Sequence, residues 1–170
     1  REARQIFFDR GALPRELVAE KVIASWQRCH ALGMDATRCP DPDSLRRDLL
    51  DTLLEQHGAL VRAAAPVLQL IAAKTDSDPN VILLTDPEGF VLMTAGNREF
   101  AVQARRRDIR AGVLFNEMER GTNAPGVCLQ ECAPVIVHGG EHYFTKYTAF
   151  TCTAAPVYGP QGDVVGTIDI

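Results

Sequence analysis

Over roughly the first 75 positions the apolar residues recur at three- and four-residue steps, whereas beyond position 80 they gather in short runs broken by turn residues. Leu17, Val18, Val22, Ile23, Trp26 and Cys29 form one such stripe. It predicts a helix that can begin at Pro14, whose missing N–H is harmless in a first turn, and that stops at Gly33. The polar link Cys39-Pro40-Asp41-Pro42-Asp43 follows. Ser44 then reads as the cap of a second helix carrying Leu45, Leu49, Leu53, Leu60 and Val61, which Pro66 breaks or kinks before Val67, Leu68, Leu70 and Ile71.

The texture changes at Asp76-Ser77-Asp78-Pro79-Asn80. Val81 to Thr85 has strand character, Asp86-Pro87-Glu88-Gly89 has type I turn chemistry, and Phe90 to Met93 returns, so residues 81–94 read as a hairpin. Ala101 to Ile109 reads as a helix with Arg105, Arg106, Arg107 and Arg110 on its solvated side. After Gly112 come a loop, a short helix from Asn123 or Ala124 to Cys132, and a strand from Pro134 to His138. His142 to Phe150 is either a helical turn or a loop. Two further strands, Thr151 to Tyr158 and Asp163 to Ile170, are joined by the turn Gly159-Pro160-Gln161-Gly162. Hairpins at both ends with helices between them predict an α+β domain around an antiparallel sheet.

A length of 170 residues allows one good-sized domain, or one with a helical annex. The net charge of −4 argues against a nucleic-acid surface in this piece. No apolar run approaches the roughly 20 residues that span a bilayer, and the charged stretch from Arg1 to Arg10 lacks the apolar core of a secretory leader. An Arg at the first position and a strand still in progress at Ile170 read as the ends of a fragment. The cysteines Cys29, Cys39, Cys128, Cys132 and Cys152 are odd in number and read as reduced thiols of a cytosolic protein.

Three runs combine small residues with one or two polar groups, the texture of a place where something approaches the backbone. They are Gly121-Thr122-Asn123-Ala124, Gly140-Glu141-His142-Tyr143 and Thr151-Cys152-Thr153-Ala154-Ala155-Pro156. Thr122 or Asn123 can cap the short helix, either merely starting it or leaving amides for a ligand oxygen. A neutral His142 imidazole can serve a small oxygenated ligand or bond a loop carbonyl. Cys152, Ala154 and Pro156 share one strand face, against which a helix or a ligand can pack. Cys128 with Cys132 and His138 with His142 are four apart, without the C-x2-C knuckle of structural zinc sites.

Taken in order, the later motifs resemble the GAF sensor domain at the front of acetoin-catabolism-regulator-type, sigma-54-dependent transcriptional activators. The matching elements are Leu83 to Leu92, Glu117 ahead of Gly121-Thr122-Asn123-Ala124, Pro134 to Val137 leading to Gly140-Glu141-His142-Tyr143, Thr151 to Val157, and Gly162 with Gly166-Thr167-Ile168-Asp169. Ser25-Trp26-Gln27-Arg28-Cys29 with Gly33 resembles the helix such regulators carry before the GAF domain. Phe115-Asn116-Glu117, Pro125 and Val127-Cys128 depart from the usual pattern, as does Thr153, where Ser is commoner.

The resemblance implies a GAF-type antiparallel sheet flanked by helices, with an N-terminal helical extension at 1–78 and a ligand-sensing domain at 79–170. Its implied ligand-binding set is Phe115, Glu117, Thr122, Asn123, Ala124, His142, Phe150, Cys152 and Ala154, with no catalytic residue, metal or cofactor. The implied partners are a small oxygenated effector and a second copy of the chain. DNA and RNA polymerase would be reached only through ATPase and helix-turn-helix domains outside this sequence, which holds no G-x4-G-K-[ST] loop. Two other readings stand beside it. One is a GAF-fold methionine-sulfoxide reductase working through Cys128, Cys132 and Cys152; the other is a metal- or gas-sensing module using His142 and Cys152.

Overall fold

The computed structural model describes residues 2–42 and 44–170; Arg1 and Asp43, at the charged start and in the proline-containing link, lie outside the described residues. A short helix α1 (Glu2–Arg4) runs on as a π-helical stretch over Gln5–Asp9. Helix α2 (Glu20–Ala31) buries Val22, Ile23, Trp26 and Cys29, while Leu17 stays half exposed ahead of it. Pro14 starts a turn, accepting the amides of Leu17 and Val18, rather than the helix itself. Gly33 ends α2 as expected: with φ +72° it lets the Met34 amide reach Cys29 O and its own amide reach His30 O.

Helix α3 (Arg47–Gln56) begins later than Ser44, because Ser44 pairs with Val113 in an isolated bridge. Helix α4 (Gly58–Lys74) continues past Pro66, and the interruption falls at His57 instead. Pro66 is solvent-exposed, so the carbonyl of Arg62 that it leaves unpaired has water to bond.

Strands β1 (Val81–Thr85) and β2 (Val91–Gly96) form the expected hairpin. Asp86 sets its turn, one carboxylate oxygen accepting the amides of Glu88, Gly89 and Phe90 at 3.0, 2.8 and 2.8 Å. Helix α5 (Arg98–Arg105) starts three residues before Ala101 because Asn97 caps it, accepting the Phe100 amide. Helices α6 (Glu117–Arg120) and α7 (Ala124–Glu131) are capped by Asn116 and Asn123. Strand β3 (Val135–His138), two 3-10 turns at Gly139–Glu141 and Thr145–Tyr147, and strands β4 (Thr151–Tyr158) and β5 (Val164–Asp169) complete the chain.

The five strands make one antiparallel sheet in the order β2-β1-β5-β4-β3, so the molecule is α+β. All five β1 residues are buried, because helices cover both faces of the sheet. Ile82 and Leu84 meet Ala64 and Leu68 of α4 on one face. Val81 and Leu83 join Val22, Ile23 and Trp26 of α2 and Val127 of α7 in the core on the other. Sequence-remote halves therefore share one core. Gly166 permits the β1–β5 contact: a Cβ there would lie 2.1 Å from Thr85 O.

Candidate functional site

Between the α7 face of the sheet, the start of α7, Phe100 of α5 and the 142–152 segment lies a cavity of about 370 Å³. Its walls are mostly apolar: Leu83, Phe100, Ile109, Phe115, Ala124, Pro125 and Phe150, with polar groups from Asn123, His142, Tyr147, Cys152 and Asp169. Six of the nine expected residues line it, namely Phe115, Asn123, Ala124, His142, Phe150 and Cys152. Glu117, Thr122 and Ala154 do not. Ala154 is fully buried in the sheet core, and the other two turn their side chains toward α2.

Asn123 is committed to its own backbone. Its side-chain oxygen accepts the Gly126 amide at 2.9 Å and its amide donates to Gly121 O at 2.8 Å. Pro125 has no N–H and the Val127 amide bonds Asn123 O, which leaves Ala124 as the uncapped amide of the first turn. The α7 start is thus a wall more than a cradle of donors.

His142 is 2% exposed, and burial pulls its pKa down to about 4, so the ring is neutral at physiological pH. Its Nδ1 lies 3.0 Å from Gly139 O; a carbonyl only accepts, so Nδ1 carries the proton and Nε2 is left as an acceptor.

Asp169, the acid that ends the run Gly166-Thr167-Ile168-Asp169, is an unusual group in the cavity wall. In the sheet register it stands beside Leu83 and Ala154, which puts its side chain on the α7 face. The carboxyl is fully desolvated, with Oδ1 unpartnered, and burial pushes its pKa up to about 7. The available signal was an acid at an inward position of an otherwise apolar strand.

Four sets of contacts tie this site to the N-terminal segment. Arg4 donates to the carbonyls of His142 (2.6 Å), Tyr143 (3.0 Å) and Gly140 (3.4 Å). Trp26 Nε1 donates to Glu141 O at 2.7 Å. The Ser25 and Thr122 hydroxyls share a buried bond of 2.7 Å. Arg28 grips both carboxylate oxygens of Glu117, at 2.7 and 2.8 Å, and reaches Glu131 at 3.1 Å.

Residues 1–170, the whole chain, match the family described as MimR, N-terminal domain. The chain belongs to that family. It is 32% identical over 170 residues to the propane 2-monooxygenase operon transcriptional activator MimR of Mycolicibacterium goodii, covering 99% of this chain and 28% of that protein. It is 29% identical over 164 residues to the acetoin dehydrogenase operon transcriptional activator AcoR of Bacillus subtilis (strain 168), covering 96% of this chain and 27% of that one. Among solved structures, the DhaR(N)–DhaL complex of E. coli superposes with a TM-score of 0.85 at 17% identity, over 89% of this chain and 51% of that chain. The GAF-like fold is shared with that complex. The chain spans just over a quarter of the length of these curated relatives.

Both of these curated relatives are named as transcriptional activators. Burial pushes Cys128 up to about 11 and Cys152 well above the usual thiol range, so both stay protonated, and all five cysteines are free. Among the described residues, His57, Asp86 and Glu88 are the group of three metal-ligating side chains that comes together, at the β1–β2 turn and outside the cavity lining. No helix among the described residues is long and apolar enough to cross a membrane.

Proposed function

We propose that this chain is the effector-sensing region of a bacterial, sigma-54-dependent transcriptional activator, with a small oxygenated organic molecule bound in the cavity beside His142. The observation that carries this reading is a mostly apolar enclosure with few polar groups, whose loop is bonded to the N-terminal helices. Phe115 and Phe150 act as apolar walls, the Cys152 side as floor, and His142 as an acceptor. Glu117 and Thr122 contribute from outside the cavity by coupling its rim to Arg28 and Ser25. Ligand occupancy favours one of two arrangements of the flanking helices, and that shift reaches the ATPase and DNA-binding domains elsewhere in the full-length, homodimeric protein.

A thermal-shift screen of small ketones, alcohols, diols, phenols and short acids tests the reading. A selective ligand at a hundred times its Kd stabilises by about 2.7 kcal/mol. Ala124→Phe, which fills the cavity, abolishes that shift. A selective ligand whose effect survives Ala124→Phe binds elsewhere, and the assignment fails.

A further inference from the structure

We infer that Asp169 is the group by which this cavity selects its ligand: its carboxylate accepts an O–H from a small uncharged alcohol or diol, so that ketones and carboxylates of the same skeleton are rejected. The inference rests on the effector-cavity reading and adds a chemical class to it.

Asp169 Oδ1 has no partner in the folded protein, although the side chain is almost wholly buried at the cavity wall. A buried acceptor left open is costly, and a ligand hydroxyl removes that cost, whereas a ketone, being acceptor-only, leaves it in place. His142 points to the same class, since its Nε2 is also an acceptor. The remaining titratable groups of the surroundings are the thiols of Cys128 on α7 and Cys152 on β4 and the Tyr147 hydroxyl; burial holds all three protonated. Among the described residues no lysine or arginine lines the cavity, so nothing offsets the charge of a carboxylate ligand placed against Asp169.

The test is calorimetric titration at pH 8, where Asp169 is ionised, with 2-butanol, butane-2,3-diol, butanone, butyrate and 3-aminobutan-2-ol as probes. The expected result is binding of the alcohols roughly tenfold to a hundredfold more tightly than butanone, with butyrate undetected. Asp169→Leu cuts the alcohol-over-ketone preference to the remainder that the His142 acceptor supports; Asp169→Asn, which offers a donor as well as an acceptor, narrows the preference less. Melting curves confirm that both variants fold. An alcohol preference undiminished in Asp169→Leu overturns the assignment. So does tighter binding of butanone or butyrate by the unmodified protein, or a preference for the amino alcohol, which would mark a cation site. Binding of the neutral probes without discrimination sinks only the role of Asp169; no binding by any probe sinks the cavity reading with it.

Discussion

Asp169 and His142 both line the cavity, and their titrations act on stability with opposite sign. The Asp169 carboxyl, raised to about 7, keeps its proton in the folded state after the unfolded chain has lost it. Stability therefore falls with rising pH across the window from about 4 to about 7. His142, lowered to about 4, stays neutral in the folded state while the unfolded chain picks up a proton below about 6.5. Its contribution rises with pH between about 4 and 6.5, against the first. Asp169→Asn is expected to remove the falling branch, leaving a protein that gains stability from pH 4.5 to 6.5 and exceeds the wild type above pH 7. Urea melts across that range check it; a variant less stable than wild type at pH 8 contradicts the sign. Phe115 and Phe150, which line the cavity, came from the family resemblance and not from any local signal. Asp169 was not legible as a wall, because one carboxyl in an apolar strand looks like a capping or turn residue until the register shows which face it is on.

At the scale of elements, the α2–α6 contact is the informative one. Arg28 and Glu117 form a two-pronged ion pair in which Glu117 is mostly buried and Arg28 about one-third exposed. Arg28→Ala leaves that carboxylate without its counter-charge and is expected to cost roughly 1–3 kcal/mol. The double variant with Glu117→Gln should cost less than the sum of the two, as read in a double-mutant cycle by urea denaturation. Glu117 and Thr122 were expected to touch ligand because they stand beside the cap motif. Glu117 on the four-residue helix α6 and Thr122 in the link to α7 turn their side chains to Arg28 and Ser25 of α2, and no spacing argument distinguishes that from an inward aim. The opposite error concerns Pro66. Expected to break or kink a helix, it does not break one but lies inside α4, so Pro66→Ala should raise the melting temperature, the interior proline costing about 3 kcal/mol. The strands and both turn motifs were readable because glycine, proline and Asp86 act locally. The start of α3 was not, because Ser44 answers to Val113, far along the chain.

For the whole molecule, the sheet's α7 face is closed by residues from both ends of the chain, Phe7 and Trp26 packing with Val127, Tyr143 and Phe144. The resemblance-based boundary near residue 78 thus crosses a continuous core. Deleting residues 1–78 is expected to yield a protein with poorly dispersed amide NMR signals, whereas two independent domains would give a well-folded 79–170. Trp26→Ala, at a site with no exposure, should cost about 3–5 kcal/mol by urea denaturation.

The three carbonyl bonds of Arg4 carry a kinetic consequence. Loop residues 140–143 are pinned by a side chain that belongs to the first helical turn of the chain. Motion of the segment that carries His142 into the cavity wall should therefore follow the release of Arg4, a clock set by that side chain rather than by the loop's own bonds. Hydrogen exchange at the Tyr143 amide, which is bonded to Thr122 O, should accelerate in Arg4→Ala while the amides of β1 keep their protection.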